Sequence, residues 1–411
     1  MTAWLDNPQH RHWLRSQADS LLAFAAASPH PAGGFSWLGA DGAPDLSRPV
    51  ELWITCRMIH CFSLGHMLGN PAYGRLADHG LRSLNEVFRD REYGGFYASV
   101  QDGLPRDTSK QAYAHAFVVL AAASATAAGR AGAADLLTEA LSLLDERFFD
   151  PENGMSVDSY DRAFSDCEPY RGINANMHTV EALLSAADVT GERRWLDRAC
   201  EILRRALDEF ARGNNWLLPE HFDTDWRVLL DYNREVPDHP FRPYGATVGH
   251  WFEWGRLALH AEAALRELGD TPPAWLSECA RELITRAADT FGCDGQPGFV
   301  YTLDWQGQPV VHERMHWVAA EAIGACAVAY RAFGDESFAR LYEKYWEYVS
   351  EFLLDPACGS WHHELDRDNR VQGKVWPGKP DTYHALQAVL LPRLPLTPTF
   401  AQALRRGLIS D

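Results

Sequence analysis

Apolar residues recur at three- and four-residue steps along most of the chain, which is the pattern of helices with one buried face. The pattern is clearest over residues 81–88, 133–148, 177–188, 195–212, 254–267 and 275–291. Pro272 and Pro273 stand at the start of the last of these segments, where proline is tolerated. Strand-like alternation is confined to short stretches after turn glycines, such as FVYTLDWQGQPVV and SWHHELDRDNRVQGK, with bends at QG and DN. The chain is therefore predicted to be mainly helical, with short hairpins between helices.

Turn glycines, each followed within three residues by a large side chain, divide the chain at nearly even intervals. They are Gly34, Gly95, Gly154, Gly213, Gly298 and Gly359. Subtracting neighbouring positions gives steps of 61, 59, 59, 85 and 61 residues. A step of this length suits a pair of helices with a loop, and such units bury their core only when they stack. Six units that close on themselves predict an all-α fold, an (α/α)6 barrel with short β-hairpins in the inter-helix loops, as one domain over residues 1–411.

The longest step contains one large insertion, roughly residues 222–244, which is rich in Asp, Pro and Arg. In an α/α barrel the inter-helix loops gather at one end and form the rim of a central pocket. Long loops in compact domains are usually functional. The insertion is therefore predicted to be a lid or a wall of that pocket.

The composition of the chain argues against several classes of function and location. A formal charge of −18 argues against nucleic-acid binding, which needs clustered Lys and Arg. The N-terminus lacks the apolar core of a signal peptide, and the most apolar stretch, from Ala114, is short of a membrane span. Eight cysteines contain no CxxC pair, which predicts reduced thiols and a cytoplasmic location without a membrane contact. Fifteen tryptophans suit core packing, and their faces also suit the apolar side of sugar rings.

Three histidines stand where a polar loop gives way to a helix. His178 lies in RGINANMHTVEALL, His250 in YGATVGHWFEWGRL and His384 in KVWPGKPDTYHALQ. A single histidine in such a place is more often a satisfied core residue. Three occurrences in one barrel are harder to explain that way, because the loops before the inner helices face one cavity. The three histidines are therefore predicted to converge.

Arg57 and Glu321 are ionisable residues inside otherwise apolar helices, so each needs a partner or a cavity. A structural Arg–Glu pair and a pocket-facing cation are both open interpretations. His250 and Glu253 have the spacing of metal ligands, but HExxH and a matching carboxylate cluster are absent from the sequence. We therefore predict neither a metal nor a cofactor. The GxSxG, phosphate-loop and dinucleotide motifs are absent as well.

Nearly the whole chain resembles the N-acylglucosamine 2-epimerase superfamily. The segments that carry the resemblance are ELWITCRMIH, YGGFYASV, DTSKQAYAHAF, RGINANMHTVEALL, EHFDTDW, FRPYGATVGHWFEWGRLALH, VYTLDWQGQPVVHERMHW, GSWHHELDRDN and KVWPGKPDTYH. Within the superfamily they are most similar to the branch of mannose and sulfoquinovose isomerases. Members have the (α/α)6 barrel, which agrees with the repeat count.

The resemblance implies that His250 and His384 are the acid/base pair and that His178 is a third pocket histidine. His384 is expected to move the proton between C1 and C2, and His250 to open the sugar ring. The other residues expected to bind the sugar or to form the pocket wall are Trp53, Arg57, Tyr113, Asn174, Glu253, Trp317, Glu321, His363, Trp376 and Asp381. A histidine pKa near about 6.5 suits both proton transfers.

The expected activity is the interconversion of D-mannose and D-fructose, with lyxose as a lesser substrate. In the sulfoquinovose enzymes of this branch, the resemblance implies donor-bearing side chains at three positions that are Pro240, His363 and Pro380 here. Two prolines offer no side-chain donor, so an unmodified hexose fits better. The alternatives are a 2-epimerase acting on mannose and glucose, a sulfoquinovose isomerase, a non-catalytic sugar-binding toroid and a glycan hydrolase. A hydrolase would need two placed carboxylates, for which Glu253 and Glu321 are candidates.

Overall fold

In a computed structural model that describes residues 3–410, helices follow one another along the chain as the apolar pattern predicts. In chain order they are α1 (Pro8–Ala25), α2 (Leu52–Met67), α3 (Pro71–Ser83), α4 (Ala112–Ala127), α5 (Ala133–Leu143), α6 (Ile173–Thr190), α7 (Arg193–Leu203), α8 (Val248–Glu267), α9 (Trp275–Asp289), α10 (His316–Phe333), α11 (Glu336–Tyr348), α12 (Tyr383–Leu390) and α13 (Phe400–Arg405). Wider π-helical turns extend α3, α5, α7 and α11, over Leu84–Phe88, Leu144–Phe148, Arg204–Ala211 and Val349–Leu353. Short 3₁₀ turns cover Trp4–Asp6 and Leu391–Arg393.

The even-numbered helices α2 to α12 form an inner ring, and the odd-numbered helices α1 to α11 pack around it. Each inner helix contacts the next, and α12 contacts α2, so the ring closes. The outer helix α1 packs against α12, at the far end of the chain. Nearly every residue of the inner helices is buried, in agreement with sequences in which apolar residues occur on all faces of the helix. This arrangement is the predicted (α/α)6 barrel. A single domain over residues 1–411 stays a prediction.

Short strands lie in the loops, two to four residues each. They are β1 (Trp37–Leu38), β2 (Pro44–Asp45), β3 (Val50–Glu51), β4 (Ser99–Gln101), β5 (Leu104–Asp107), β6 (Lys110–Gln111), β7 (Phe149–Asp150), β8 (Met155–Ser156), β9 (Ser159–Tyr160), β10 (Arg171–Gly172), β11 (His221–Phe222), β12 (Ala246–Thr247), β13 (Thr302–Leu303), β14 (Pro309–Val311), β15 (Arg314–Met315) and β16 (Glu364–Leu365). The predicted hairpin at QG is β13–β14, and that at DN is closed by a bridge between Leu365 and Val371.

The prediction that strands occur only after the turn glycines is wrong. A second set, β3, β6, β10, β12 and β15, comes directly before the inner helices and pairs with a strand of the following loop. These segments are only two residues long, too short for any alternation to be read. Their pairing links neighbouring loops around the mouth of the barrel and so fixes where five of the six inner helices, α2 to α10, begin.

The start of one helix and the position of one turn differ from the predicted ones, and both lie near a glycine. The helix predicted from residue 81 begins at Pro71, and its Gly80 packs so closely on α2 that a Cβ there would lie 2.3 Å from Cγ1 of Ile59. The turn predicted at Gly213 lies one residue later. Gly213 ends the helical segment, and the left-handed residues are Asn215 (φ 54°) and Trp216 (φ 67°). The other five turn glycines all have positive φ.

The two ends of the barrel are closed differently. At the end opposite the strands, α13 packs against α2, α4 and α6, and the Nδ1 of His260 lies 2.6 Å from the carbonyl oxygen of Thr397. At the strand end, the insertion over residues 222–244 forms irregular turns above the central cavity. Of the two roles predicted for this insertion, pocket wall agrees with its placement, because Pro240 and Phe241 line the cavity.

Candidate active site

The central cavity is built from the same positions of successive inner helices. The second and sixth residues of these helices are Trp53 and Arg57, Tyr113 and Phe117, Asn174 and His178, Gly249 and Glu253, and Trp317 and Glu321. Residues four apart share one helical face, so each pair points toward the barrel axis. On α12 the second residue is His384. The repeated register therefore brings six separate stretches of sequence to one pocket.

Two of the predicted histidines are held by buried carboxylates. The Nδ1 of His384 lies 2.9 Å from Oε1 of Glu321, and the Nδ1 of His250 lies 2.9 Å from Oε2 of Glu220. A carboxylate accepts the Nδ1 proton, so Nε2 of each ring is left for the cavity. Burial lowers the pKa of His384 well below its usual range, and the positive charge of Arg57 adds to that effect. His384 is therefore neutral near pH 7.

Trp317 lies between the two histidines. Its ring centre is 5.4 Å from that of His250 and 5.7 Å from that of His384. The indole has room because residue 249 is glycine: a Cβ there would lie 2.2 Å from Cζ3 of Trp317. Trp317 thus forms an apolar floor between two imidazoles.

Arg57 is the cation of the cavity. Its guanidinium donates to Oδ2 of Asp381 at 3.2 Å and to the hydroxyl of Tyr113 at 3.0 Å, and it lies 4.6 Å from the ring centre of Tyr383. Burial opposes its charge, but Tyr113, Asp381 and Tyr383 outweigh burial, so the pKa of Arg57 is raised. The partner of Arg57 is therefore Asp381, and the alternative of an Arg57–Glu321 pair is wrong. Glu321 instead accepts from Arg256 at 2.9 Å.

Below the cavity lies a buried polar layer. The Nδ1 of His178 lies 3.2 Å from Oε2 of Glu181, which also accepts from the hydroxyl of Tyr383, and Gln387 donates to the same carboxylate at 3.1 Å. Burial lowers the pKa of His178 to about 4, although Glu181 opposes this. His178 is thus a neutral ring whose Nδ1 proton is already engaged.

Glu253 is a buried carboxyl with neither oxygen hydrogen-bonded. Arg256 lies 3.7 Å from it but donates to Glu321 at 2.9 Å. Burial raises the pKa of Glu253 well above its usual range, and the negative charge of Glu321 raises it further. Burial therefore favours the protonated form of Glu253, whose O–H would be a donor to the cavity.

Two groups of described residues bring potential metal ligands within 4.8 Å of one another: His178, Glu181 and Glu253, and Glu253, Glu321 and His384. His250 is in neither group, so the spacing of His250 and Glu253 does not form a ligand set. The guanidinium of Arg256 already supplies a positive charge to the second group. The prediction of no metal stays a prediction.

The structure brings nearly all of the predicted site residues into one cavity. Its lining includes Trp53, Arg57, Tyr113, Asn174, His178, His250, Glu253, Trp317, His363, Trp376, Asp381 and His384. Glu321 lies behind the cavity wall, bonded to His384. The positions equated with those of the sulfoquinovose enzymes, Pro240, His363 and Pro380, also line the cavity.

Several residues of the site were not predicted. Tyr301, Phe241 and His316 line the cavity, and Glu220, Glu181 and Arg256 hold its charged groups. Phe241 packs edge-on against Trp376, with ring centres 5.2 Å apart. The repeated helix register was the available signal for Glu181 and Arg256, since both are the ninth residue of an inner helix. Glu220 lies in an irregular loop and carries no such signal.

The comparisons with known proteins identify the family of the chain. The family model of N-acylglucosamine 2-epimerase (GlcNAc 2-epimerase) matches residues 33–388. A D-mannose isomerase of Thermobifida fusca is 48% identical over 98% of this chain and 99% of its own, and one of Pseudomonas cannabina pv. alisalensis is 44% identical over 98% and 97%. A crystal structure of a D-mannose isomerase superimposes with a TM-score of 0.86 at 28% identity, over 92% of this chain and 96% of that one. The chain therefore belongs to the N-acylglucosamine 2-epimerase family, as its resemblance predicted.

Proposed function

We propose that the protein is an aldose–ketose isomerase that interconverts D-mannose and D-fructose, with D-lyxose as a lesser substrate. The observation that carries this proposal is a pair of buried histidines, each with one nitrogen held by a glutamate, on either side of Trp317. Two relatives with 48% and 44% identity over almost the whole chain are named D-mannose isomerase, which favours the same reaction here.

His384 carries the proton between C2 and C1 in the proposed mechanism. Its Nε2 is unprotonated at neutral pH because the Nδ1 proton is donated to Glu321. Nε2 takes the C2 proton of the open-chain aldose, and the electron pair moves to the carbonyl oxygen to form an enediolate. The same nitrogen then returns the proton to C1 while the hydroxyl proton on O2 moves to O1, which leaves the carbonyl at C2 and gives the ketose.

His250 opens the sugar ring. Its Nδ1 is fixed by Glu220, so Nε2 exchanges a proton with the hydroxyl of C1 while a donor protonates the ring oxygen. Glu253 lies three residues along the same helix, neither of its carboxyl oxygens has a hydrogen-bond partner, and burial favours its protonated form. We assign that donation to Glu253.

The enediolate oxygen needs a positive charge or a preorganised donor. Arg57 and His178 were both candidates. Arg57 keeps its charge in the cavity, whereas His178 is neutral and its Nδ1 proton is engaged by Glu181. Arg57 is therefore assigned to the oxyanion, and His178 to accepting a sugar hydroxyl.

We further propose that no resident metal or cofactor takes part and that the protein is cytoplasmic. Histidines carry both proton transfers, and Arg256 already balances the carboxylates beside His384. Activity is expected to survive exhaustive dialysis against EDTA. A loss that a divalent ion restores would point to one of the two carboxylate–histidine groups as a metal site.

The proposed cytoplasmic location is in keeping with the eight cysteines, all of which are unpaired, as in a reducing compartment. Among the described residues, no helix is both long and apolar enough to cross a bilayer.

Product analysis tests the proposal against its rivals. The protein is incubated with D-mannose, and the sugars are separated by chromatography. Fructose as the main product supports the isomerase, whereas glucose supports a 2-epimerase, which would use the same histidines and reprotonate the opposite face of C2. A variant with His384→Ala serves as the matched blank. Unchanged mannose in both samples would overturn the proposed activity.

A further inference from the structure

Two buried imidazoles lie face to face at the edge of the cavity. His316 is the first residue of α10, and His363 directly precedes β16. Because β15 and β16 pair antiparallel, with Met315 opposite Glu364, the register places His316 opposite His363. The ring centres are 3.7 Å apart and the ring planes differ by 22°. Both residues are buried, with 5% of their surface exposed, and both line the cavity.

A backbone carbonyl decides which nitrogen of His316 carries the proton. Its Nδ1 lies 3.2 Å from the carbonyl oxygen of His363, and a carbonyl can only accept. In the neutral ring the proton is therefore on Nδ1, and Nε2 is an acceptor. That Nε2 is buried and has no hydrogen-bond partner. Such an atom is costly to leave unpaired, and a ligand hydroxyl would satisfy it.

The backbone of Asp381 lies beside the ring of His363 and acts to raise its pKa. Burial lowers the pKa of His363 well below its usual range, and the neighbouring His316, Lys379 and His384 lower it further. Burial lowers the pKa of His316 to about 4, where Asp381 acts against the shift and Arg57 adds to it. Both rings are therefore neutral at pH 7, and a neutral imidazole keeps one nitrogen as an acceptor.

We propose that His316 and His363 form an acceptor wall, which binds the terminal hydroxyl of the sugar and excludes an anionic group from that place. The ring of His316 lies 6.4 Å from that of His384, within reach of an open-chain sugar whose C1 and C2 are at His384. Arg57 is on the α2 side of His384, and the acceptor wall is on the α10 side. With the reacting oxygens at Arg57, the tail of the chain meets the acceptor wall. This inference rests on the proposed isomerase function.

The test compares kcat/KM for D-mannose and for 6-deoxy-D-mannose, which lacks only the terminal hydroxyl. The wild type is expected to prefer mannose by about tenfold or more, because the deoxy sugar leaves a buried acceptor unpaired. His316→Phe keeps a stacked ring without nitrogens, and its preference should fall close to one. His316→Gln restores an acceptor near the position of Nε2 and should retain most of the preference.

The matched control is His312→Phe, on the same loop but outside the cavity, where the Nδ1 of His312 lies 2.8 Å from Oδ2 of Asp294. It should leave the preference unchanged. His363→Phe serves as a second variant if His316→Phe does not fold. A wild-type preference in the Phe variants, or an equal loss with both sugars, would overturn the acceptor wall and leave the isomerase standing. A wild type that converts neither sugar would overturn the proposed function and this inference with it.

Discussion

The Nε2 of His384 and of His250 is free to act in the cavity, because a buried glutamate binds the Nδ1 of each ring. Fixing the tautomer in this way orients the ring and leaves its Nε2 as an acceptor on the cavity side. The two glutamates come from different places, Glu321 from the next inner helix and Glu220 from a loop. Each of the two histidines proposed as acid/base groups is thus positioned by an element other than its own.

Replacing either histidine should abolish most of the activity. We expect His384→Ala and His250→Ala each to lower kcat by roughly 10²–10⁴-fold, as for general acid–base groups. Their thermal unfolding should remain cooperative, which circular dichroism checks. His12→Ala, at an exposed position, is the control. Activity near that of wild type in either cavity variant would remove that histidine from the mechanism.

The acid limb of the pH–rate profile should lie below the usual histidine value of about 6.5. Only unprotonated His384 can take the C2 proton, and burial with Arg57 lowers its pKa, so the active form persists to lower pH. Asp381 acts in the opposite direction, and Asp381→Asn should move the limb to still lower pH. The profile of kcat/KM measures both. A limb above 6.5, or one that Asp381→Asn moves upward, would contradict the assignment of His384.

The histidines were predictable from sequence because each follows a polar loop at the start of a helix. Their glutamate partners were harder to predict from the sequence. Glu220 precedes His250 by thirty residues, with the insertion between them, and the β10–β11 pairing helps to bring its loop to the cavity. The raised pKa of Glu253 could not be predicted from the sequence either, because it depends on burial and on the negative charge of Glu321.

The inner helices α6 and α8 were predicted to exist, but both were predicted to begin too late. The first turns of α6 and α8 contain polar or glycine residues, such as Asn174 and Gly249, which read as loop in the sequence. These residues face the cavity instead of the core, so the apolar period starts only after them. In α6 and α8 the pattern therefore missed the first turn, which carries Asn174 and His250.

Gly249 allows α8 and α10 to approach where the two histidines need a common floor. We expect Gly249→Ala to lower kcat/KM by at least about tenfold, because a methyl 2.2 Å from Trp317 displaces the indole. Gly255→Ala, on the same helix, is a matched control. Its Cβ would lie 2.6 Å from Cγ1 of Ile284, in the packing between α8 and α9. It should lower the melting temperature and preserve the specific activity of the folded protein. Equal activity losses in the two variants would show that position 249 has only a packing role.

Barrel architecture followed from six turn glycines, of which five lie where the chain takes a left-handed conformation. That spacing could be read because each repeat is a helix pair of similar length. The short strands around the mouth could not be read, since two residues carry no period. The sequence therefore predicted the ring, and tertiary pairing determined how its loops are joined.

Substrate choice reflects the chemistry of the cavity as a unit. We expect sulfoquinovose to be turned over at least about 10²-fold less efficiently than D-mannose, because Pro240 and Pro380 provide no side-chain donor for a desolvated anion. Competition between the two sugars in one reaction gives the ratio of kcat/KM directly. A ratio of one or below would place the protein with the sulfonate-handling enzymes and leave the histidine assignments intact.

The order in which the inner helices occur along the chain has a consequence for protein synthesis. His384 lies on α12, and α12 closes the ring against α1 and α2. A chain emerging from the ribosome, N-terminus first, exposes five inner helices with polar cavity faces before the sixth arrives. The buried Arg57 has no Asp381 until that moment. Folding to the active state is therefore completed after translation has nearly finished, and a nascent chain arrested before α12 would carry an open, inactive barrel.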